Sequence, residues 1–399
     1  MEQSSFDAYR VRQARWAVSA DFFIFGFAWA IWAVHIPVIA HRLALDPAVL
    51  GFALLNVGLG GVISQPLVGW LMSRIGSRPA TQLFLPFCIA APMLPIVAST
   101  IPVLFGATLA LGLIGGAANV AVNTQAAQVE AARGKPTMSS FHGFFSLGGL
   151  SGALAGSVII GASAADGRGA IAIIAPLFIL SLLAGWFLIE APPKPPAAKS
   201  AKARGLAIPA VAFLALAVIC FFANTIEGAA GDWSALYLAT IRNLPQAVAT
   251  SGYAVFSLGM AVCRLAGGPI VARLGDRNVV LLGGLLAALG MAVVVFVPWA
   301  ALSPFGFALV AIGAANTIPV LISAGSRVPG AEAGTGVAAV ATGALLGLLL
   351  GPPVIGFVAH SMGLAAALTM MILVGLIVAG GAAVYRWPAA ARPQMVSER

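Results

Sequence analysis

The chain has 399 residues, of which 60% are apolar and only 8% are charged. Soluble globular proteins carry about 25% charged residues, so most of this surface cannot face water. Apolar runs recur along the whole sequence, and each is long enough to cross about 30 Å of hydrocarbon. The composition therefore excludes a soluble protein and predicts an integral membrane protein.

The net charge of +9 does not indicate nucleic-acid binding, because the cations lie in short loops between apolar runs rather than on one basic face. There is no phosphate-binding loop of the Walker type and no HExxH motif. We therefore expect no metal, no cofactor and no enzymatic activity. We expect a monomer whose partners are the lipid bilayer, a small-molecule substrate and protons.

The apolar runs predict an all-α protein with twelve membrane-spanning helices. The seventh run is too long for one straight crossing, and Gly228 and Gly231 offer a bend or an unwound turn inside it. The predicted spans are 16–40, 50–72, 81–98, 103–129, 139–161, 170–189, 207–240, 249–271, 279–298, 303–322, 334–359 and 363–385.

The distribution of lysine and arginine predicts the orientation of these spans. With the N-terminus in the cytoplasm, 17 of the 21 cations fall in cytoplasmic segments. Only Arg42, Arg168 and Arg242 then lie outside, and Arg264 lies within a span. Both termini are therefore expected in the cytoplasm, with the protein in a bacterial inner membrane.

A proline-rich and lysine-rich stretch, EAPPKPPAAKSAKARG at 190–205, reads as an extended cytoplasmic linker. The sequence GFALLNVGLGG from Gly51 resembles GYAVFSLGMAV from Gly252, an offset of about 200 residues. Two similar six-span halves are typical of secondary transporters. The predicted domains are a six-helix bundle at 1–189, the linker at 190–206 and a second six-helix bundle at 207–399.

The loop GWLMSRIGSR at 69–78 resembles the signature loop of the major facilitator superfamily, Gly-x-Leu-x-Asp-Arg-x-Gly-Arg-Arg. Ser73 and Ala272 replace the acidic residue of the pattern in the two copies. The segments NVAVNTQAAQVEAARGKPTMSSFHGFFSLGGLSGA, EGAAGDWSALYL and LLGPPVIGF are similar to the rhizopine-transport-protein-like branch. The matching positions are Gly69, Leu71, Arg74, Gly76 and Arg78, and then Gly268, Arg273, Gly275 and Arg277.

That resemblance implies two pseudo-symmetric six-helix bundles around a central binding site, with transport by alternating access. It hints at a polyol or sugar-like solute. With no phosphate-binding loop, the energy must come from an ion or solute gradient. The alternatives are a proton-driven exporter of amphipathic compounds and, from another class, a nontransporting membrane sensor or scaffold.

Acidic residues inside spans are expensive and usually face a cavity or a partner. Glu227 matches Gly26 by the repeat offset, which places it near the middle of a span and makes it the first choice for carrying a coupling proton. Asp21 and Asp232 are further choices. Arg264 must pair with an acid, either Asp21 or Glu227.

Polar and aromatic residues in the spans complete a predicted substrate pocket. Asn119 and Asn123 lie four residues apart and therefore share a helix face. The alternative role for the amides is helix–helix hydrogen bonding, and for the two histidines it is an interfacial position. The pocket is predicted to draw on Trp32, His35, Asn56, Asn119, Asn123, His142, Asn224, Trp233, Tyr237, Tyr253 and Asn316.

Charged residues occupy matching places in the cytoplasmic loops of the two halves. The resemblance implies that such clusters lock the outward-facing state, whereas contact with lipid headgroups is the alternative for the arginines. The predicted gate consists of Arg74, Arg78 and Glu130 in the first half and Arg273, Arg277 and Glu332 in the second.

Overall fold

The computed structural model describes residues 8–133, 137–163, 168–189, 207–328 and 333–388. Within these ranges the regular structure is entirely helical. The N-terminal half contains α1 (Ala8–Arg42), α2 (Pro47–Ile75), α3 (Ser77–Ala90), α4 (Met93–Ile96), α5 (Ile101–Arg133), α6 (Met138–Ser163) and α7 (Arg168–Gly185). The C-terminal half contains α8 (Ala207–Thr240), α9 (Gln246–Ala249), α10 (Ser251–Leu265), α11 (Gly267–Phe296), a 3₁₀ turn (Ala300–Leu302), α12 (Ser303–Ala314), α13 (Thr317–Gly325), α14 (Ala333–Met362) and α15 (Leu364–Val384).

Eleven helical segments of the described chain are long and apolar enough to cross a membrane, and the helix Ile171–Gly185 is a shorter apolar one. The predicted all-helical membrane fold is confirmed. The predicted linker at 190–206 lies outside the described residues.

Two details of the predicted spans are different in the structure. Helix α8 continues through Gly228 and Gly231 without an unwound turn, so its length is accommodated by one long helix. The predicted eighth span, 249–271, falls on two helices in the structure: α10 ends at Leu265, the chain turns, and α11 begins at Gly267. Helix α11 is itself interrupted at Gly275, whose φ of 74° divides it into two arms.

Glycines bring the main helix pairs of each half into close contact. A Cβ atom at Gly148 of α6 would lie 1.9 Å from the Phe23 carbonyl oxygen of α1. At Gly347 of α14 it would lie 2.2 Å from the Phe221 carbonyl oxygen of α8. Such small residues let backbones approach in membrane proteins, where packing rather than water drives helix association.

The two halves meet along α2 and α14 and along α6 and α10. We call the end with Asp46, Ala247 and His360 the outer face, and the end with the 74–78 and 273–277 loops the inner face. Asp46 pairs with His360 at the outer face. Gly51 packs on Pro352 and Pro353 just below. These contacts close the outer end of the seam between the halves.

Candidate functional site

A cavity of about 420 Å³ lies between the two halves. Its walls come from α1, α2, α5 and α6 of the N-terminal half and from α8, α10 and α14 of the C-terminal half. Its size and mixed lining are typical of small-molecule sites. It is lined by Phe22, Phe25, Trp29, Trp32, Leu54, Val57, Gly58, Gly61, Val62, Gln65, Gly112, Gly115, Gly116, Asn119, His142, Phe145, Ser146, Gly149, Asn224, Glu227, Gly228, Gly231, Asp232, Tyr253, Phe256, Ser257, Met260, Arg264, Leu345, Leu348, Leu349 and Pro352.

The N-terminal wall is dominated by one aromatic face of α1. Phe22, Phe25, Trp29 and Trp32 are three or four residues apart, so they lie above one another along the helix. Phe25 meets Trp29 edge to face, with 6.1 Å between the ring centroids. It meets Phe145 of α6 in the same way at 5.4 Å. This wall offers ring faces for stacking rather than charges.

The C-terminal wall carries an ion pair. Arg264 Nη2 of α10 donates a hydrogen bond of 2.9 Å to Glu227 Oε1 of α8. Arg264 Nε also donates to the Ala315 carbonyl oxygen at 3.4 Å. The second carboxylate oxygen, Glu227 Oε2, is buried without a hydrogen-bond partner among the described residues. Of the two acids proposed for Arg264, the structure places Glu227 beside it.

The remaining ionisable groups of the cavity are Asp232, His142 and Tyr253. Asp232 lies on α8 after Glu227 and forms no ion pair with any residue that the structure describes. His142 of α6 packs edge to face against Phe22, with 5.2 Å between centroids. Both halves therefore contribute a titratable group to the same space.

Several predicted polar residues do line the cavity. Asn119 and Asn224 join Trp32 and Tyr253 on its surface. Asn224 Nδ2 also donates to the Ala344 carbonyl oxygen of α14 at 2.6 Å. Asn123, one turn below Asn119, does not line the cavity; its Nδ2 donates to the side-chain and backbone oxygens of Asn119.

Five other predicted pocket residues lie outside the cavity lining. Three hold helices together through backbone carbonyls: Asn56 donates to Phe105 at 3.4 Å, Asn316 to Cys263 at 3.0 Å and Tyr237 to Val294 at 3.2 Å. The other two are buried within the helix packing. His35 Nδ1 lies 2.6 Å from the Ile31 carbonyl oxygen, and Trp233 is fully buried.

Asp21 lies on α1 but not on the cavity wall. Its side chain is 1% exposed, and neither carboxylate oxygen has a hydrogen-bond partner within the described part of the chain. A buried carboxylic acid without a partner is costly when charged. Its position away from Arg264 separates it from the ion pair of the cavity.

The predicted gate residues contact their own halves. Arg78 Nη2 donates to the Trp186 carbonyl oxygen at 3.3 Å, and Arg277 Nη2 donates to the Ala383 carbonyl oxygen at 3.1 Å. Arg74 lies 4.2 Å above the Trp70 ring, while Glu130 accepts from the Met138 amide at 2.6 Å. Arg273 is exposed. Glu332 lies outside the described residues.

Most of the aromatic wall and the cavity-facing side of α10 were not predicted from the sequence. The available signal was spacing: Phe22, Phe25 and Trp29 precede Trp32 at helical intervals. Phe256 and Met260 stand between Tyr253 and Arg264 in the same way. These residues could have been predicted by examining the positions three or four residues before and after each predicted pocket residue.

Comparisons with known proteins agree with this architecture. The sequence profile described as Major Facilitator Superfamily matches residues 18–324 and 233–398. An uncharacterized MFS-type transporter of Yersinia pestis is 33% identical over 90% of this chain and 93% of its own length. The membrane protein MosC of Rhizobium meliloti is 32% identical over 91% of this chain and 88% of its own length.

Solved structures share the fold at low sequence identity. A mutant of the nucleoside transporter NupG aligns with a TM-score of 0.72 at 13% identity, covering 93% of this chain and 99% of that one. A D-xylose–proton symporter aligns with a TM-score of 0.70 at 14% identity, covering 94% and 96%. The profile match, the full-length relatives and the shared helical architecture lead to one conclusion: this chain belongs to the major facilitator superfamily.

Proposed function

We propose that this protein is a secondary active transporter that moves a small polar solute, similar to a polyol or sugar, across a bacterial inner membrane. Transport follows alternating access and is driven by protons. The observation that carries the proposal is the Glu227–Arg264 ion pair on the wall of the cavity between the halves. An ionisable pair on helices that can span a membrane is a functional site by default.

The two walls of the cavity suit a hydroxylated ring. Trp29 and Trp32 offer faces for stacking, and Asn119, Asn224 and Arg264 offer donors for hydroxyl groups. The structures with a similar fold include proteins described as a D-xylose–proton symporter and a nucleoside transporter, and both solutes contain a sugar ring. This likeness supports the solute class.

Proton coupling follows from the charge balance of the ion pair. While Glu227 is charged it holds Arg264, and the guanidinium is engaged within the C-terminal half. A proton on Glu227 removes that attraction, so that Arg264 can donate its hydrogen bonds to the solute. Loss of the proton restores the pair and displaces the solute. The two events are coupled because the Nη2 donor that holds the charged Glu227 is freed for the solute when Glu227 is protonated.

The seal at the outer face supports an arrangement open toward the inner face. Ser157 Oγ of α6 donates to the Ala247 carbonyl oxygen at 2.8 Å, on the opposite side from the Asp46–His360 pair. We propose that the solute is released at the inner face from this inward-open state. In the state that opens toward the outer face, the two outer seams separate.

Replacing Glu227 by Gln tests the proposal, because Gln keeps the shape and hydrogen-bonding capacity but cannot titrate. We expect proteoliposomes with Glu227→Gln to lose accumulation of solute against its gradient while exchange between equal pools persists. Asp232→Asn is the matched control, since it removes a carboxylate from the same helix and cavity without touching Arg264. Proton-driven accumulation by Glu227→Gln would contradict the proposal.

A second candidate function is export of amphipathic compounds, which the aromatic wall of α1 favours. The two candidates differ in what binds. A thermal-shift screen of purified protein over polyols, sugars and amphipathic cations separates them, because ligands stabilise the folded state that they bind. Stabilisation by cations alone would favour the exporter.

A further inference from the structure

A second groove lies between the inner-face ends of α1 and α7, apart from the central cavity. It has a volume of about 420 Å³ and is lined by Tyr9, Arg12, Gln13, Trp16, Ala184 and Phe187. None of these residues lines the central cavity, and none is used by the proposed transport mechanism. All of its lining residues belong to the N-terminal half, so the groove does not lie between the two halves.

The floor of the groove is aromatic and exposed. Trp16 is 54% exposed and Phe187 is 52% exposed. Aromatic side chains concentrate where the hydrocarbon of a bilayer meets the headgroups, since their rings are amphipathic. The position of both residues near the ends of membrane-spanning helices places the groove at this level.

The rim of the groove is positively charged. The Arg12 guanidinium lies 5.9 Å from the Tyr9 ring centroid, and the Arg15 guanidinium lies 5.0 Å from that of Trp16. Among the described residues, Arg12 forms no ion pair and no acidic side chain lines the groove. The charge of this region therefore favours an anionic ligand.

We propose that the groove binds an anionic glycerophospholipid, such as phosphatidylglycerol, of the leaflet at the inner face. The phosphate pairs with Arg12, and an acyl chain follows Trp16 and Phe187 toward Ala184. Arginine suits a phosphate because its fork of donors matches the oxygens. Basic recesses between membrane helices bind such headgroups. A free phosphate would leave the apolar floor uncovered, which is why the lipid is the occupant.

The test uses the purified full-length protein in detergent and native mass spectrometry. Dioleoyl phosphatidylglycerol, dioleoyl phosphatidylcholine and glycerol phosphate are titrated separately. We expect phosphatidylglycerol to bind more tightly than phosphatidylcholine, and glycerol phosphate not to bind. Arg12→Gln should weaken phosphatidylglycerol binding about fivefold, the effect of losing one cation at the headgroup. Trp16→Ala should weaken the binding of both phosphatidylglycerol and phosphatidylcholine.

Arg10→Gln is the matched control, because Arg10 is an exposed arginine of the same helix turn that does not line the groove. It should bind phosphatidylglycerol as the unmodified protein does. Equal losses in Arg10→Gln and Arg12→Gln would overturn the site in favour of diffuse attraction. Equal binding of the two lipids would overturn the claim that the groove recognises an anionic headgroup. Binding of glycerol phosphate would overturn the claim that a lipid is the occupant.

Discussion

The two halves of the molecule share a backbone arrangement but distribute charge differently. Gly26 of α1 and Glu227 of α8 are repeat-equivalent. A Cβ atom at Gly26 would lie 2.0 Å from the Phe145 carbonyl oxygen, so this position is used for close helix packing. At the equivalent place, the C-terminal half holds a carboxylate paired with Arg264. The two halves therefore share a helical arrangement, and the charged residues of the cavity lie where their sequences differ.

The same contrast recurs at the inner face. Gly76 and Gly275 both have positive φ, 85° and 74°, at the equivalent turn. The residue after Gly76 is Ser77, whose hydroxyl donates to Gln128 Oε1 at 2.8 Å. The residue after Gly275 is Asp276, which forms an ion pair with Arg327. One half closes this corner with neutral groups and the other with charges.

The outer seams also differ. Asp46 Oδ1 accepts from the Ala48 amide at 2.8 Å and caps α2, while Asp46 Oδ2 lies 2.6 Å from His360 Nδ1 of α14. On the opposite seam, Ser157 and Ala247 form a neutral hydrogen bond. Of these two described contacts, only the Asp46–His360 pair can therefore respond directly to pH. Glycine packing is shared between the halves, whereas the titratable contacts are not.

The largest effect is expected where the halves are alike. Gly148→Ala and Gly347→Ala each force a Cβ atom into a backbone carbonyl oxygen of the neighbouring helix. We expect each to destabilise the protein by about 3 kcal/mol, since overpacking moves the backbone. Gly69→Ala is the control, because nothing lies within 4 Å of its added Cβ atom. Thermal unfolding in detergent measures the stability of all three variants. A large loss of stability from only one of the two glycine variants would show that the halves do not share this packing.

An intermediate effect is expected at the inner-face corner. Arg327→Gln leaves Asp276, which is 15% exposed, without its charge partner, at a cost of about 2 kcal/mol. The double variant Asp276→Ser, Arg327→Gln recreates the neutral pair of the N-terminal half. Its unfolding temperature should return most of the way to that of the unmodified protein. A double variant as unstable as the single one would show that the two corners are not interchangeable.

A smaller, pH-dependent effect is expected at the outer face. The Ala48 amide and the His360 side chain hold the pKa of Asp46 below its ordinary value of 3.8. The stabilisation is therefore present above about pH 4 and is lost as the pH falls through the lowered pKa. Spin labels at Ala44 and Met362, in a cysteine-free background, should move apart in that acid range. His360→Gln should remove the transition.

Labels at Ala162 and Ile241 report on the neutral outer seam and serve as the control for that experiment. Their separation should not change over the same acid range, because Ser157 and Ala247 do not titrate. Equal movement at both seams would show that Asp46 and His360 do not determine the response.

The smallest effect is expected at the predicted gate. Arg273→Ala and Arg74→Ala remove exposed side chains far from the cavity. Solute binding should be unchanged and stability should change by less than about 0.5 kcal/mol, while the transport rate falls a few-fold. Loss of binding with an intact transport rate would contradict a gating role.

Much of the fold could be predicted from the sequence, because hydrophobic length alone determines where a chain can cross a bilayer. Glu227 could be found as well, since an acid in an apolar run is conspicuous. The repeat offset predicts a position near the middle of its span, and the structure places its side chain on the cavity wall. The partner of Glu227 could not be predicted from residue spacing, because the contact between α8 and α10 depends on the tertiary packing.

The pocket amides show the same limit. Asn224 and Asn56 are equally polar residues in apolar spans, yet Asn224 lines the cavity and Asn56 bonds to the Phe105 carbonyl oxygen of α5. The difference depends on how each helix is rotated in the bundle. Periodicity within one helix does not fix that rotation relative to its neighbours.

The central claim, that Glu227 carries the coupling proton, is tested most directly by counting protons during solute binding. The solute identified in the thermal-shift screen is added to purified protein in weakly buffered solution with a pH indicator. The unmodified protein should take up as much as about one proton per solute bound, because protonation of Glu227 releases Arg264. Glu227→Gln should bind the solute with no such uptake. The same proton uptake by both proteins would contradict the account.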